Sequence, residues 1–287
     1  MKQDLAASYH CAEEVARARA RNFYYSFIVL PIEKRRALCA VYAFMRVCDD
    51  ISDGPETCDS KRRSLEILRS RMTAALAGDC GEDPIFPAFH DSVHRFAIPA
   101  EYFHWILDGV EMDLSTHGYE TFEDLYRYCF RVASAVGLVC LQIFGYSEES
   151  AREHAEHCGI AFQLTNILRD LKEDAGMGRI YLPAEDLEKF QYGAEDLRRG
   201  VMDERFRKLM LFEVDRARRF YAQGRSLIPL VDDNSRPALW ALIRIYEKLL
   251  EKIVHRRFEV FRARIRLSRA EKTSIALRAL SMRYLRI

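Results

Sequence analysis

Two segments constrain this chain more than any others: RALCAVYAFMRV at 36–47 and RVASAVGLVCLQIFGY at 131–146. Neither alternates apolar and polar residues as a half-buried strand does. Both carry apolar side chains on more than one face of a helix, which leaves no broad face for water. Helices of that kind belong in the middle of a bundle. The remainder of the chain agrees. Gly (13) and Pro (8) are scarce among 287 residues, so helices separated at Gly and Pro punctuation are expected. The pattern predicts helices over roughly 5–22, 32–52, 100–113, 121–144, 148–173, 203–227, 236–262 and 269–282. Pro31 is well placed just before the second of these. GPET at 54–57 ends it, and GDCGEDPIFP at 78–87 reads as a loop. No repeat, low-complexity tract or linker divides the chain. The expected architecture is all-α, a single domain over 1–287, and hydrophobic residues at 49% supply enough material for its core.

Global charge names no partner, because 44 Lys and Arg nearly balance 43 Asp and Glu. Its distribution is more informative. From Arg256 to Ile287 ten basic residues face only Glu259 and Glu271, so the rest of the chain carries about −7. The basic segment mixes Arg with Leu, Ile, Val and Phe. It fits either a packed terminal helix with a solvated basic face, the reading slightly preferred, or a helix resting on an anionic membrane surface. A nucleic-acid partner is not expected, since acidic clusters oppose one. The eight cysteines form no CxxC pair and read as reduced thiols of a cytoplasmic protein. The N-terminal residues carry no apolar core of the signal-peptide kind. The longest strongly apolar stretch, near AVGLVCLQIFGY, is about a dozen residues, short of the roughly 20 that span a bilayer.

Acidic side chains stand where these buried helices end. In DDISD (49–53), Asp49 and Asp53 are four apart; in NILRDLKED (166–174), so are Asn166, Asp170 and Asp174, with Gln163 one turn earlier. Residues four apart share a helix face, about 6 Å apart along the axis. Like charges so placed repel, and more strongly where burial removes water. A hard divalent cation would compensate, since Mg²⁺ takes oxygen ligands and commonly completes its shell with substrate phosphates. The alternative for each cluster alone is a solvated acidic face paired with Arg46, Arg169, Lys172 and Arg179. A third acidic stretch, DGVEMDLSTH, contains Asp108, Glu111 and Asp113. Its spacing is poor for one shared face, so on spacing alone it is expected at the surface.

YAFMRVCDDISD, followed much later by GIAFQLTNILRDLKEDAGMGRIYLP, resembles the squalene/phytoene synthase family of head-to-head prenyltransferases. NFYYSFIVLP is similar to its substrate-gate segment, DGVEMDL to its middle acidic element and YCFRVASAVG to its aromatic helix. The resemblance implies an isoprenoid synthase bundle around a central cavity, with the two aspartate motifs facing each other across the mouth. It implies that Asp49, Asp53, Asp170 and Asp174 hold Mg²⁺, with Mn²⁺ as a substitute. It places Gln163, Asn166, Tyr42, Tyr128 and Tyr246 at the reacting centre. Arg46, Arg179, Phe23 and Asn22 fall at diphosphate-binding or gate positions. The chain departs from some relatives at Ala20 and Asn22, where they carry serine, and at Phe130, where they carry an aromatic hydroxyl or imidazole. His104, His117, His154 and His157 match nothing catalytic.

The implied reaction joins two allylic prenyl diphosphates. One loses diphosphate, the C2–C3 double bond of the other attacks the resulting cation, and proton loss closes a cyclopropylcarbinyl diphosphate. FYYSF, YCFRVASAVGL and MGRIYLP look most like the hopanoid-pathway members, which condense two farnesyl (C15) diphosphates to presqualene diphosphate without NADPH. Two other members remain open: a phytoene synthase using C20 diphosphates, and a squalene synthase that completes an NADPH reduction. Intact aspartate motifs argue against a non-catalytic assembly factor on the same fold, and the NILRDLKED form argues against a head-to-tail prenyltransferase or a terpene cyclase.

Overall fold

The computed structural model describes residues 5–20, 23–116 and 118–285. Its helices are α1 (Leu5–Arg19), α2 (Tyr24–Phe27), α3 (Ile32–Asp53), α4 (Cys58–Leu76), α5 (Phe86–Arg95), α6 (Ala100–Ser115), α7 (Phe122–Cys129), α8 (Ala135–Phe144), α9 (Ala151–Gly176), α10 (Ala184–Lys189), α11 (Ala194–Arg199), α12 (Glu204–Gly224), α13 (Arg236–His255) and α14 (Arg269–Leu285). A π-helical turn, Phe130–Ser134, joins α7 to α8, and a 3-10 turn, Arg225–Leu230, follows α12. Only isolated bridges, and no strands, occur among the described residues.

Local signals explain most helix starts. Pro31 and Pro99 stand at the N-caps of α3 and α6. Thr121 and Asp124 close a reciprocal capping box on α7, worth about 1 kcal/mol. Asp203 accepts from the Phe206 amide at 3.1 Å to start α12. The expected helix over 236–262 stops at His255, because Arg257 and Phe258 both take positive φ (50° and 62°) and turn the chain away. The sequence pattern also passed over α4, α5, α10 and α11.

Both segments that looked apolar all round are inner walls. On α3, Leu38, Val41, Tyr42 and Met45 face a central cavity. The opposite face puts Phe44 against Phe89 at 4.6 Å, and Phe89 packs edge-on to Phe103 at 4.8 Å. Such a ring trio is worth about 1.5–3 kcal/mol per fully buried side chain. α9 passes close behind the π turn at Gly159. A β-carbon there would lie 2.5 Å from the Ser134 Cα, so only glycine permits the crossing. The expected dozen-residue apolar stretch is in fact part of one continuous helical run, Phe122–Phe144. That run is long and apolar enough to cross a membrane by length and composition, but here it is a wall of the bundle.

Candidate active site

Three helices bring two acids and two amides to one place, while Asp53, Asp170 and Asp174 do not line the cavity. α3 brings Asp49 to the cavity mouth, α6 brings Asp113, and α9 brings Gln163 and Asn166. The cavity, about 350 Å³, runs from these groups down between α3, α6, α8, α9 and α13. Phe23, Tyr42, Tyr128 and Tyr246 line it as well. Phe23 lies 5.8 Å from the Tyr246 ring and 6.5 Å from Tyr42, and Phe162 stacks on Tyr246 at 4.4 Å. The result is an aromatic wall below the acidic rim.

Asp113 corrects the expectation that its stretch is surface. It accepts from the Tyr181 hydroxyl at 2.8 Å and from the Tyr128 hydroxyl at 3.1 Å. Burial is the main reason its carboxyl is held above the usual carboxylate range. Its neighbours Asp108 and Glu111 do face outward, toward Arg69 at 2.7 and 3.8 Å. Spacing failed because Asp113 sits on a different face of α6 from Asp108 and Glu111. Asp113 also connects the two aspartate motifs electrostatically. Asp49 is pushed up to about 6, chiefly by burial, with Asp53, Asp50 and Asp113 adding to it. Asp174 is pushed up to about 7, by burial first, then by Asp170 and Asp113. Asp49 is half exposed, but to the cavity mouth, where surrounding protein still strips much of its water.

Arginines hold several of the predicted acids. Arg46 donates to Asp50 at 2.8 Å and to Asp49 at 3.4 Å, and lies 3.8 Å from Asp53. Arg19 reaches Asp50 at 2.8 Å. Asp170 sits between Arg169 and Arg264, each with a bond of 2.8 Å, and Arg264 also meets Glu173 at 2.9 Å. Arg179 stands within electrostatic reach of Asp113, Tyr181 and Tyr128. Asn22 and His117 lie outside the described residues. Phe130 packs on Trp105 and does not line the cavity.

A second recess, about 460 Å³, shares Phe23, Tyr42, Asn166 and Tyr246 with the first. Arg19, Arg169, Arg264, Arg266, Arg269 and Lys272 line its other side. Four of these six come from the basic C-terminal segment, which the charge count had singled out but read as surface. α14 does pack, burying Ile275, Ala276 and Ala279. The stretch before it folds back over the acidic mouth.

A hard divalent cation fits these residues. Asn166 and the aspartates offer only oxygen, and the Asn166 Oδ1 is buried with no hydrogen-bond partner. Among the described residues no three His, Cys, Asp or Glu side chains form a closed metal cage.

The sequence matches the family described as squalene/phytoene synthase over residues 16–271. The chain belongs to the squalene/phytoene synthase family. It is 36% identical over 272 residues to the 15-cis-phytoene synthase of Synechococcus elongatus, covering 91% of this chain and 88% of that one. It is 37% identical over 281 residues to the phytoene synthase of Mycobacterium tuberculosis, covering 97% and 92%. A crystal structure of a dehydrosqualene synthase in complex with ligand superposes with a TM-score of 0.90 at 28% identity, covering 99% and 98%. Squalene synthase HpnC from Alicyclobacillus acidocaldarius superposes at 0.83, also at 28% identity, covering 88% and 95%. This squalene/phytoene synthase is therefore a prenyltransferase of the head-to-head type, acting on prenyl diphosphates.

Proposed function

We propose that the enzyme condenses two C20 prenyl diphosphates head to head to a C40 hydrocarbon, as a phytoene synthase does. One observation carries the chemistry: an apolar cavity opens at once onto Asp49 of α3, Asp113 of α6 and Asn166 of α9, and onto a basic recess. The choice of C20 draws on relatives named phytoene synthase, matched at 36–37% identity over at least 90% of this chain. The sequence motifs favour the C15 reading, presqualene diphosphate for hopanoid synthesis. It draws on the likeness to dehydrosqualene synthase and HpnC.

Asp49 and Asp53 on one side, and Asn166, Asp170 and Asp174 on the other, would hold Mg²⁺. Bound there, the metal supplies Lewis-acid neutralisation of the departing diphosphate. Arg46, Arg179 and the arginines of the recess bind the same oxygens through planar, two-point contacts. The faces of Phe23, Tyr42, Phe162 and Tyr246 exclude water and lie against the allylic cation, whose charge aromatic rings stabilise. Tyr128 is buried, which pushes its hydroxyl well above its ordinary value and keeps it protonated. It can pass its own proton to Asp113 as its oxygen accepts one from the substrate. NADPH is not required in this scheme.

We place the enzyme in the cytoplasm, in peripheral contact with an anionic membrane surface. Leu277 and Tyr284 are exposed on α14, whose other face packs on the bundle. Co-sedimentation with anionic but not neutral vesicles would support that contact.

The deciding experiment offers C15 or C20 diphosphate with Mg²⁺, with and without NADPH, and analyses the dephosphorylated extract by mass spectrometry. A C40 hydrocarbon without NADPH is expected. A C30 cyclopropyl alcohol from C15 alone would favour presqualene diphosphate, and squalene appearing only with NADPH would make it a squalene synthase. No coupling from either substrate would overturn the enzymatic reading.

A further inference from the structure

The blind end of the cavity is built as deliberately as its mouth. On α3 the lining runs from Asp49 through Met45 and Val41 to Leu38, about 16 Å along the axis. On α8 it ends at Phe144, the last residue of the helix. One turn below Leu38, on the same face of α3, stands Lys34. Its side chain is largely buried (13% exposed). The ammonium donates to the Phe144 carbonyl at 2.7 Å, to Asp232 at 2.8 Å, to Asn234 at 2.9 Å and to the Ser235 hydroxyl at 3.0 Å. Ser235 in turn donates to the same Phe144 carbonyl at 2.8 Å. Gly145, at φ 71°, turns the chain directly after Phe144. A β-carbon there would lie 2.3 Å from an Asp232 carboxylate oxygen. The start of α3, the end of α8 and the segment leading into α13 are thus tied at one lysine. α13 itself contributes Leu239 and Leu242 to the cavity wall.

We infer that Phe144 is the residue that sets the greatest prenyl chain length the enzyme accepts, and that Lys34 is the positioning residue that holds it there. The inference rests on reading the cavity as the prenyl-chain site. The physical reason is an asymmetry between the two layers of the floor. A chain that pushes past Phe144 meets the polar layer behind its main chain, where Lys34, Asp232, Asn234 and Ser235 stand. It meets an ammonium with all its protons committed, and separating that ammonium from its acceptors leaves buried polar groups unpaired. A packed aromatic ring alone could shift its rotamer to admit another isoprene unit. A ring whose backbone carbonyl accepts from both Lys34 and Ser235 is held by its main chain.

The test measures binding of non-reactive S-thiolodiphosphates of C10, C15, C20 and C25 with Mg²⁺, alongside kcat/KM for the C15, C20 and C25 diphosphates. In the wild type, affinity is expected to rise with chain length to a limit and then fall. Phe144→Ala should move that limit one isoprene unit longer, and Phe144→Trp one unit shorter. Each should change the ratio between neighbouring lengths roughly tenfold or more, the scale of a misfit in an apolar pocket. Lys34→Met should blur the limit, flattening the ratio while circular dichroism stays that of the folded protein. Should Lys34→Met not fold, Ser235→Ala removes one of the two bonds on the Phe144 carbonyl and should flatten the ratio less. An unmoved limit in both Phe144 variants overturns the assignment of Phe144. An unchanged ratio in folded Lys34→Met, or in Ser235→Ala if Lys34→Met does not fold, overturns the role of Lys34. Turnover failing at every length would defeat the proposed activity and leave the floor to the binding arm. Binding that never falls with length would defeat the floor and leave the activity standing.

Discussion

The Tyr181 hydroxyl donates to Asp113 at 2.8 Å, on the oxygen opposite the one that Tyr128 occupies at 3.1 Å. The three rings of Tyr119, Tyr128 and Tyr181 stack behind that carboxylate, with centroids 5.2–6.3 Å apart. A carboxylate held by two phenols at the edge of an apolar cavity is fixed in orientation and short of water. Asp113→Asn keeps the shape and removes the acceptor of a proton. Its kcat should fall by about 10² or more, the usual scale of a lost general base, with KM nearly unchanged. Steady-state kinetics at saturating Mg²⁺ would check this. Wild-type kcat in a folded Asp113→Asn enzyme would remove Asp113 from the chemistry.

Asp49 and Asp174 make a prediction about pH. Both stand above the ordinary aspartate value, at about 6 and about 7. Between about pH 4 and 7 the native state then binds more protons than the unfolded chain, so stability of the metal-free protein falls as pH rises through that window. Asp49→Asn and Asp174→Asn should flatten the dependence and raise the metal-free Tm near pH 7. Metal binding needs the ionised forms, so the apparent Mg²⁺ affinity should weaken as pH drops from 7 to 5. Thermal melts with and without Mg²⁺ across that range would test both parts. A chelator should abolish turnover. Alanine at Asp49, Asp53, Asp170 or Asp174 should do the same while leaving the fold intact.

The bundle was legible because apolar residues on every face of 36–47 and 131–146 allow little else, and helical spacing placed Asp49 and Asn166 on cavity-facing sides. Asp113 was hidden for a physical reason. Its partners are tyrosines 15 and 68 residues away, and no local spacing encodes such pairs. The basic recess was half legible. Its charge excess was plain in composition, but the turn at Arg257 and Phe258 that folds it over the mouth depends on backbone angles the helical pattern does not announce.

Arg264 joins that folded-back stretch to the second motif through Asp170 and Glu173. In the metal-free protein it serves as the counter-ion of Asp170, and it lines the recess next to Asn166 and Tyr246. Arg264→Ala should weaken binding of inorganic diphosphate with Mg²⁺ by roughly 10–100-fold, the value of one charge-assisted hydrogen bond. Tm should move little, because partly exposed ion pairs contribute little to stability. Calorimetric titration would measure the first and a thermal melt the second. Unchanged diphosphate affinity would take the recess out of substrate binding.

Arg216 should behave in the opposite way. It is buried between Asp186 at 2.6 Å and Glu213 at 2.7 Å, with the Phe122 ring 4.1 Å from its guanidinium carbon. None of these residues lines the cavity or the recess. Burial is the main reason the Glu213 carboxyl is held well above its ordinary value, and Asp186 adds to it against the pull of Arg216. Arg216→Met would leave two carboxyl groups buried without their shared cation, a loss of about 3–5 kcal/mol. For a chain of this size that lowers Tm by on the order of 10 °C. Protonation relieves the repulsion, so the deficit should shrink as pH falls. KM and the chain-length profile of the folded fraction should match the wild type, and a large change in either would mean that α10 and α12 reach the active site after all.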